Sequence, residues 1–328
     1  MAKVLIAGKI HPDGLAMLDA ETGLDVEVIS DPGATLSADK LAEADALLIR
    51  YGVLTAEQAG QMPRLKVVSR HGVGCDNLPV RELAAAGVPV TIVGPVNAVS
   101  VAEQVMAMLM ALVKHLLSYD KAVREGRWDV RDTLSAGELA GRKLMLLGFG
   151  RIGREVARRA LGFDMEVWVH DPFVSSTEIS SRGCVPVPNW RQVLPEVDAL
   201  SLHLPLTNET KNLIGAAEFN KMKASAILLN AARGGLVDED ALAAALKGRM
   251  SSGGAGLDCF ADEPQSPGTP LLSLSNVVVS PHSAALTGEA ARRMAVVAAN
   301  NVIAGLKGSL DPALVFNLAA LKEAGHGL

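Results

Sequence analysis

Three segments in the second half of the sequence carry polar side chains just past successive apolar runs: a guanidinium, two carboxylates and an imidazole. Asn230-Ala231-Ala232-Arg233-Gly234-Gly235 offers Arg233. Leu257-Asp258-Cys259-Phe260-Ala261-Asp262-Glu263-Pro264 offers Asp258 and Glu263, and Ser280-Pro281-His282-Ser283-Ala284 offers His282. A planar guanidinium grips a carboxylate and polarises a neighbouring carbonyl. An imidazole titrates near neutrality and passes a proton to or from oxygen. A carboxylate beside it orients the ring and favours its protonated form. Such a trio suits proton transfer at a 2-oxo or 2-hydroxy acid, provided something else carries a hydride. Singly, each residue also has an ordinary reading: a turn cap, a solvated loop, a structural histidine. Their succession after consecutive strand candidates is what points to a site.

The hydride carrier has its own signature. Gly148-Phe149-Gly150-Arg151-Ile152-Gly153 follows the apolar run 143–147 and opens a helical segment at 151–161. Strand before and helix after make this pattern a dinucleotide fingerprint. Gly148 permits the tight turn, Gly150 lets a pyrophosphate approach the backbone, and Gly153 allows close helix packing. The N–H groups at the helix start favour the diphosphate charge. Asp171, 18 residues after Gly153 at the end of the next strand candidate, is placed to accept from the adenine ribose diol. The same carboxylate repels a 2′-phosphate, and Pro172-Phe173 follow rather than a cation, so NAD is expected over NADP. His170 is read as a surface or adenine-side residue. His203 competes with His282 for the acid role, but it closes an earlier strand and is read as packing or cofactor-side. No metal is expected, since His203 and His282 have no third ligand at a suggestive spacing.

These residues need a scaffold to hold them. In residues 1–97, β-rich runs at 3–8, 25–30, 46–50, 66–70 and 89–93 alternate with helical segments at 11–20, 38–44 and 79–86. That rhythm means βαβ units and a parallel sheet. Gly94-Pro95 breaks it, and a long helix is expected over 98–117, with Val101, Val105, Met108, Leu112 and Val113 on repeating turns. A second series places strands at 143–147, 165–169, 199–204, 226–230, 256–260 and 277–280, and the segment 288–305 is helical again. The fold class is therefore α/β, with two parallel-sheet domains, one Rossmann-like and one flavodoxin-like. The fingerprint lies mid-chain, after a first sheet is complete. The nucleotide domain, 98–285, is thus inserted into a substrate domain formed by 1–97 with 286–328. Two chain crossings would make the hinge, and closure about them would exclude water from the reaction.

Composition narrows the function classes. Of 328 residues, 49% are hydrophobic and only 3% aromatic, so small aliphatic residues must do the packing. The net charge is −5 and no basic block stands out, which argues against nucleic acid as a partner. No apolar run reaches the roughly 18 residues a membrane span needs, and the N-terminus lacks the form of a signal peptide. A cytoplasmic protein is expected, with Cys75, Cys184 and Cys259 as reduced thiols.

Several stretches together resemble the D-isomer-specific 2-hydroxyacid dehydrogenase family, over nearly the whole chain. They are Arg70-His71-Gly72-Val73-Gly74-Cys75-Asp76-Asn77, Ser100-Val101-Ala102-Glu103, the fingerprint, His203-Leu204-Pro205-Leu206-Thr207, Asn230 to Gly235 with Val237-Asp238-Glu239, Leu257 to Pro264, and Pro281-His282. Within the family, the stretches resemble the phosphoglycerate dehydrogenase branch. The resemblance implies that Arg233, Glu263 and His282 are catalytic. It implies that Asp258 and the backbone around Ala231 and Ala232 hold the nicotinamide carboxamide, with Leu204, Pro205, Ser283 and Ala284 also facing cofactor. It implies that Val73 and Gly74 present N–H groups to the substrate carboxylate, beside Asn97, and that the protein is a homodimer through the long helix. His71 departs from the small residue common at its place, and Gln104 departs too. A regulatory domain, and with it serine feedback, is not expected. Arg50 and Arg70, each ending a strand candidate, suit a second anionic group such as the phosphate of 3-phosphoglycerate. Glyoxylate, hydroxypyruvate and other 2-oxo acids remain open. An NAD(H)-sensing, corepressor-like binding protein is the alternative from another class.

Overall fold

The computed structural model describes residues 1–30 and 36–328. Its contacts divide the chain into two compact units, Met1–Asn97 with Leu286–Leu328, and Ala98–Ala285. Each unit is built on a parallel sheet.

In the first unit the strands are β1 (Ala2–Ala7), β2 (Leu24–Ile29), β3 (Ala46–Ile49), β4 (Val67–Arg70) and β5 (Val90–Thr91), in the order β2-β1-β3-β4-β5. All pairings are parallel, and the order is that of a flavodoxin-like sheet. Ala46-Leu47-Leu48-Ile49 is continuously apolar and fully buried, as a central strand covered on both faces must be. The helix Gly288–Lys307 returns to this sheet. A Cβ on Gly305 would lie 2.6 Å from Val67, so only glycine lets that helix settle on β4. Ser69 Oγ donates to the Ala298 carbonyl at 2.9 Å in the same contact. At the β5 edge, the returning chain supplies Phe316 N–H to the Val90 carbonyl (2.7 Å), while Asn317 Oδ1 accepts from Val90 N–H (2.8 Å). This covers an edge that would otherwise be open to pairing.

The second unit holds β6 (Lys143–Leu147), β7 (Glu166–His170), β8 (Val185–Pro186), β9 (Ala199–Leu202), β10 (Ile227–Asn230), β11 (Gly254–Leu257) and β12 (Val277–Val279). Their order is β12-β11-β10-β9-β6-β7-β8, a doubly wound sheet whose direction of winding reverses between β6 and β9. Open sheets of this kind bind ligands in the crevice at the carboxyl ends of the strands flanking that reversal.

Three differences from the sequence reading have physical causes. The helix expected over 98–117 stops at Val113, and a second helix, Leu116–Arg124, follows at an angle of 57°. The apolar period runs on through Leu116 and Leu117. However, Gly137 N–H takes the Val113 carbonyl at 2.8 Å and His115 adopts a left-handed φ of 50° or so, which ends the helix from outside. The strand expected at 256–260 is β11, two to three residues earlier. Its glycines lower strand propensity, yet Cβ atoms at Gly254 and Gly256 would meet Leu112 and Met108 at 2.9 and 2.8 Å. The helix Ala98–Val113 therefore requires them. The short helix Ala56–Gly60 is too brief to show an apolar period, and Thr55 and Gln58 form the capping box that starts it. Among the described residues, no single helix is long and apolar enough to cross a membrane, and Cys75, Cys184 and Cys259 are buried and form no disulfide with one another.

Candidate active site

The fingerprint loop sits at the end of β6. Gly148 has φ +97°, and a Cβ there would lie 2.4 Å from the His203 carbonyl oxygen. A Cβ on Gly153 would lie 2.3 Å from the Gly148 carbonyl, so the helix Arg151–Leu161 can start here only on glycine. Gly150 is the opposite case: nothing lies within 4 Å of where its Cβ would be. That bare backbone at a helix N-terminus suits a diphosphate. Arg151 is exposed and Ile152 half-buried at the same turn. Asp171 accepts from Phe149 N–H through Oδ2 (2.7 Å) and from Phe173 N–H through Oδ1 (2.8 Å). A carboxylate accepts about four hydrogen bonds, so each oxygen keeps one lone pair for a ribose diol. Leu204 is half-buried and Pro205 exposed, just beyond β9.

The two competing histidines are bound elsewhere. His203 Nε2 pairs with Ser201 Oγ at 3.0 Å, and burial pushes the ring down to about 4, so it stays neutral near neutrality. His170 Nδ1 pairs with the Val187 carbonyl at 2.9 Å.

Around β10, β11 and β12 the geometry is convergent. His282 Nδ1 lies 2.7 Å from Glu263 Oε2. The other Glu263 oxygen accepts from Phe260 N–H at 2.9 Å. Burial alone would raise the Glu263 carboxyl. The bonds from His282 and Phe260, with the charges of His282 and Arg233, outweigh burial and hold it below the ordinary carboxylate value. Glu239 anchors the loop that carries it, accepting from Ala261 N–H (2.6 Å) and from Gln265 Nε2 (3.2 Å). A Cβ on Gly234 would fall 1.8 Å from the Phe260 carbonyl carbon, so the Arg233 segment and the Glu263 loop are pressed backbone to backbone. Asn230 holds the other side of that turn, donating to the Arg233 carbonyl (2.7 Å) and accepting from Ala232 N–H (3.1 Å). One Arg233 nitrogen donates to the Ala232 carbonyl at 2.7 Å.

His282 has a φ of 50°, an uncommon value for a residue with a Cβ. Asp258 enforces it. Its buried carboxylate accepts from Ser280 Oγ (2.5 Å), Ser283 N–H (2.9 Å) and Ala284 N–H (2.9 Å), and its carbonyl accepts from His282 N–H (2.8 Å). The N–H groups of Ser283 and Ala284 are thus engaged by Asp258, and the buried Ala284 gives its carbonyl to Ser100 Oγ at 2.6 Å. Gln104 extends the chain by donating to Ser280 Oγ at 3.1 Å. A cavity of about 400 Å³ opens beside the pair, lined by Glu263 and His282 with Phe260, Pro264, Leu272, Val279 and Pro281 among its apolar walls. Sequence reasoning missed Glu239, Asn230 and Gln104 as supports, though all three stood in or beside the quoted stretches. It also missed Cys259, whose ligand atom lies within 4.8 Å of those of Glu263 and His282.

The substrate residues expected in the first unit are placed differently from one another. Arg70 Nε donates to the Gly74 carbonyl (2.9 Å), and Nη1 donates to the carbonyls of Ile49 (3.2 Å) and Arg50 (2.8 Å). It clamps the loops after β3 and β4. Arg50 stacks on the Tyr51 ring at 4.5 Å and donates to the Lys9 carbonyl. Val73 and Gly74 are half-buried, and Asn97 is buried. His71 is 5% exposed, and neither ring nitrogen has a hydrogen-bond partner. Burial, followed by the charges of Arg50 and Arg70, pushes it down to about 4.

Residues 106–284 match the family described as D-isomer specific 2-hydroxyacid dehydrogenase, NAD binding domain. A glyoxylate reductase of Korarchaeum cryptofilum is 37% identical over 318 residues, covering 95% of each chain. A D-3-phosphoglycerate dehydrogenase of Methanocaldococcus jannaschii is 35% identical over 312 residues, 94% of this chain but 58% of that one. Among solved structures, D-lactate dehydrogenase of Aquifex aeolicus, crystallised with NAD and lactic acid, superposes with a TM-score of 0.84 at 30% identity, over 93% of this chain and 96% of that one.

Proposed function

This chain belongs to the D-isomer-specific 2-hydroxyacid dehydrogenase family, and we propose that Arg233, Glu263 and His282 interconvert a D-2-hydroxy acid and its 2-oxo acid. The observation that carries the reading is the 2.7 Å contact between His282 and Glu263 on a loop whose backbone presses against the Arg233 turn. In the reducing direction, Arg233 holds the substrate carboxylate and polarises the ketone. His282 delivers its proton to the carbonyl oxygen, and Glu263 holds the ring in place and stabilises its charged form. In the oxidising direction the imidazole takes that proton back. The dinucleotide supplies or accepts the hydride when bound. Gly148, Gly150 and Gly153 with the N-terminus of the helix Arg151–Leu161 would hold its diphosphate, Asp171 its ribose, and the remaining Asp258 lone pair its carboxamide. Because the Asp171 carboxylate would repel a 2′-phosphate, NAD is the cofactor of this reading rather than NADP.

On substrate, the donors of Arg70 that bond backbone carbonyls favour a small 2-oxo acid such as glyoxylate or hydroxypyruvate, which needs no second cation. The 3-phosphoglycerate reading rests on Arg50, a cation seated at the end of β3. Val73 and Gly74 would offer N–H groups to the substrate carboxylate beside Asn97. Exposed Leu116, Leu117, Trp128 and Leu134 cluster in the segment after the helix Ala98–Val113, which supports a homodimer through that region. Light scattering on the purified chain checks it, and a monomer at micromolar concentration removes it. For the activity, a panel of glyoxylate, hydroxypyruvate, pyruvate and 3-phosphohydroxypyruvate is run with NADH and with NADPH. Oxidation of NADH with one of these acids is expected, and no oxidation with any of them sinks the reading.

A further inference from the structure

We propose that the His282–Glu263 pair doubles as an inhibitory site for a thiophilic divalent cation such as Zn²⁺, with Cys259 as the third protein ligand. The ligand atoms of the three residues lie within 4.8 Å of one another. Cys259 is 2% exposed, and its thiol donates to the Ala232 carbonyl at 3.5 Å. Glu263 and His282 carry the exposed, adjustable side of the cluster. One sulfur, one nitrogen and one oxygen form a donor set that zinc takes in sites with an open fourth position. At ordinary zinc–ligand lengths of about 2.0–2.3 Å, a tetrahedral ion holds such atoms roughly 3.4–3.6 Å apart. The imidazole and carboxylate must therefore part by less than about 1 Å, and the sulfur must close by roughly 1.4 Å at most. Small torsional changes in two exposed side chains cover both movements.

The charges around the sulfur favour a cation. Burial, with the carboxylates of Asp258 and Glu263, holds Cys259 as a thiol, and Arg233 opposes them. A divalent ion inverts this logic, because carboxylates that penalise a thiolate attract the metal that stabilises it. Binding releases the thiol proton to solvent as the sulfur–metal bond forms, and no electrons change hands. Arg233 keeps the site weaker than a closed structural zinc centre. Once an ion sits between them, the imidazole no longer answers to its carboxylate, so proton delivery stops. This inhibition rests on the proposed function; the binding itself does not. Cys259 has no part in the proposed reaction.

The test has two arms. In the first, Co²⁺ is added to the full chain without substrate. Wild type is expected to show a thiolate-to-cobalt charge-transfer band in the near ultraviolet, and Cys259→Val and Cys259→Ala are expected to lack it, with unchanged circular dichroism. In the second, Zn²⁺ inhibits turnover of wild type reversibly on chelation. The half-inhibiting concentration rises at least about tenfold in Cys259→Val, the lower end of what loss of even a supporting group costs a metal site. Turnover of that variant without metal stays close to wild type. Absence of the thiolate band in wild type, or equal zinc sensitivity of wild type and Cys259→Val, overturns the proposal. A cobalt band that depends on Cys259, in a chain that turns over no 2-oxo acid, supports the metal site and sinks the proposed function alone.

Discussion

Both units end parallel strands in polar loops, yet they use their cations in opposite ways. After β4, Arg70 turns its guanidinium inward onto three backbone carbonyls and holds its own loops together. After β10, most of the holding is done by others: Asn230, Gly234, Glu239 and Asp258 fix the backbone, and the side chains of Arg233, Glu263 and His282 gather around one carboxylate. A strand end marked by arginine therefore says little about chemistry until the partners of that arginine are known. Where supporting residues satisfy the backbone, the charged groups need not do that work.

The comparison can be broken at several points. The largest effect is expected from His282→Ala, which should lower kcat by about 10²–10⁴-fold. Melting temperature and NADH affinity should stay near wild type; retained turnover would move the acid role elsewhere. Arg70→Ala should act on stability instead, by about 3 kcal/mol, as three charge-assisted bonds to carbonyls are lost. Urea unfolding measures it, and an unchanged midpoint with a raised substrate KM would place Arg70 with Arg233 rather than opposite it.

Third in size is a pH effect that the two units share. His71 and His203 sit at about 4 in the folded chain, below the ordinary 6.5. Between those values the unfolded chain binds the extra proton, so stability is complete above pH 6.5 and falls as pH drops towards 4. For His71 this amounts to about 2 kcal/mol between pH 7 and pH 5. Melting curves of His71→Leu should therefore depend less on pH over that interval; an unchanged slope would mean that the ring finds a partner in solution. The smallest effect concerns the cofactor. Asp171→Ser should weaken NADH binding by about tenfold and narrow the preference over NADPH, as the ribose acceptor and its charge are removed. Fluorescence titration with both dinucleotides reads it, and an unaltered ratio would remove Asp171 from cofactor selection.

Much of this was legible in the residues. The alternation of apolar runs and helical segments marked two parallel sheets, and the helix Arg151–Leu161 and strand β6 matched their expected bounds. The fingerprint could be read because its turn is local: Gly148 sits at φ +97°, Gly153 packs on the Gly148 carbonyl, and Gly150 is left bare. The break at Val113 could not, because Gly137 imposes it from beyond the periodic segment. The displaced β11 was obscured for a related reason: its glycines make room for a helix more than 140 residues earlier in the chain, between Gly254 and Leu112.

Sequence alone determined which polar side chains follow successive strand ends, Arg233, Glu263 and His282, and in what order, because strand ends and turns are local properties of neighbouring residues. Only the tertiary structure decided which partner each charge keeps. Side chains far apart in sequence meet through packing, so Arg70 finds carbonyls after β3, Glu263 finds His282, and Cys259 comes to lie against them both. Hydrogen bonds and Coulomb forces act over a few ångströms of space, and spacing along the chain does not record those distances.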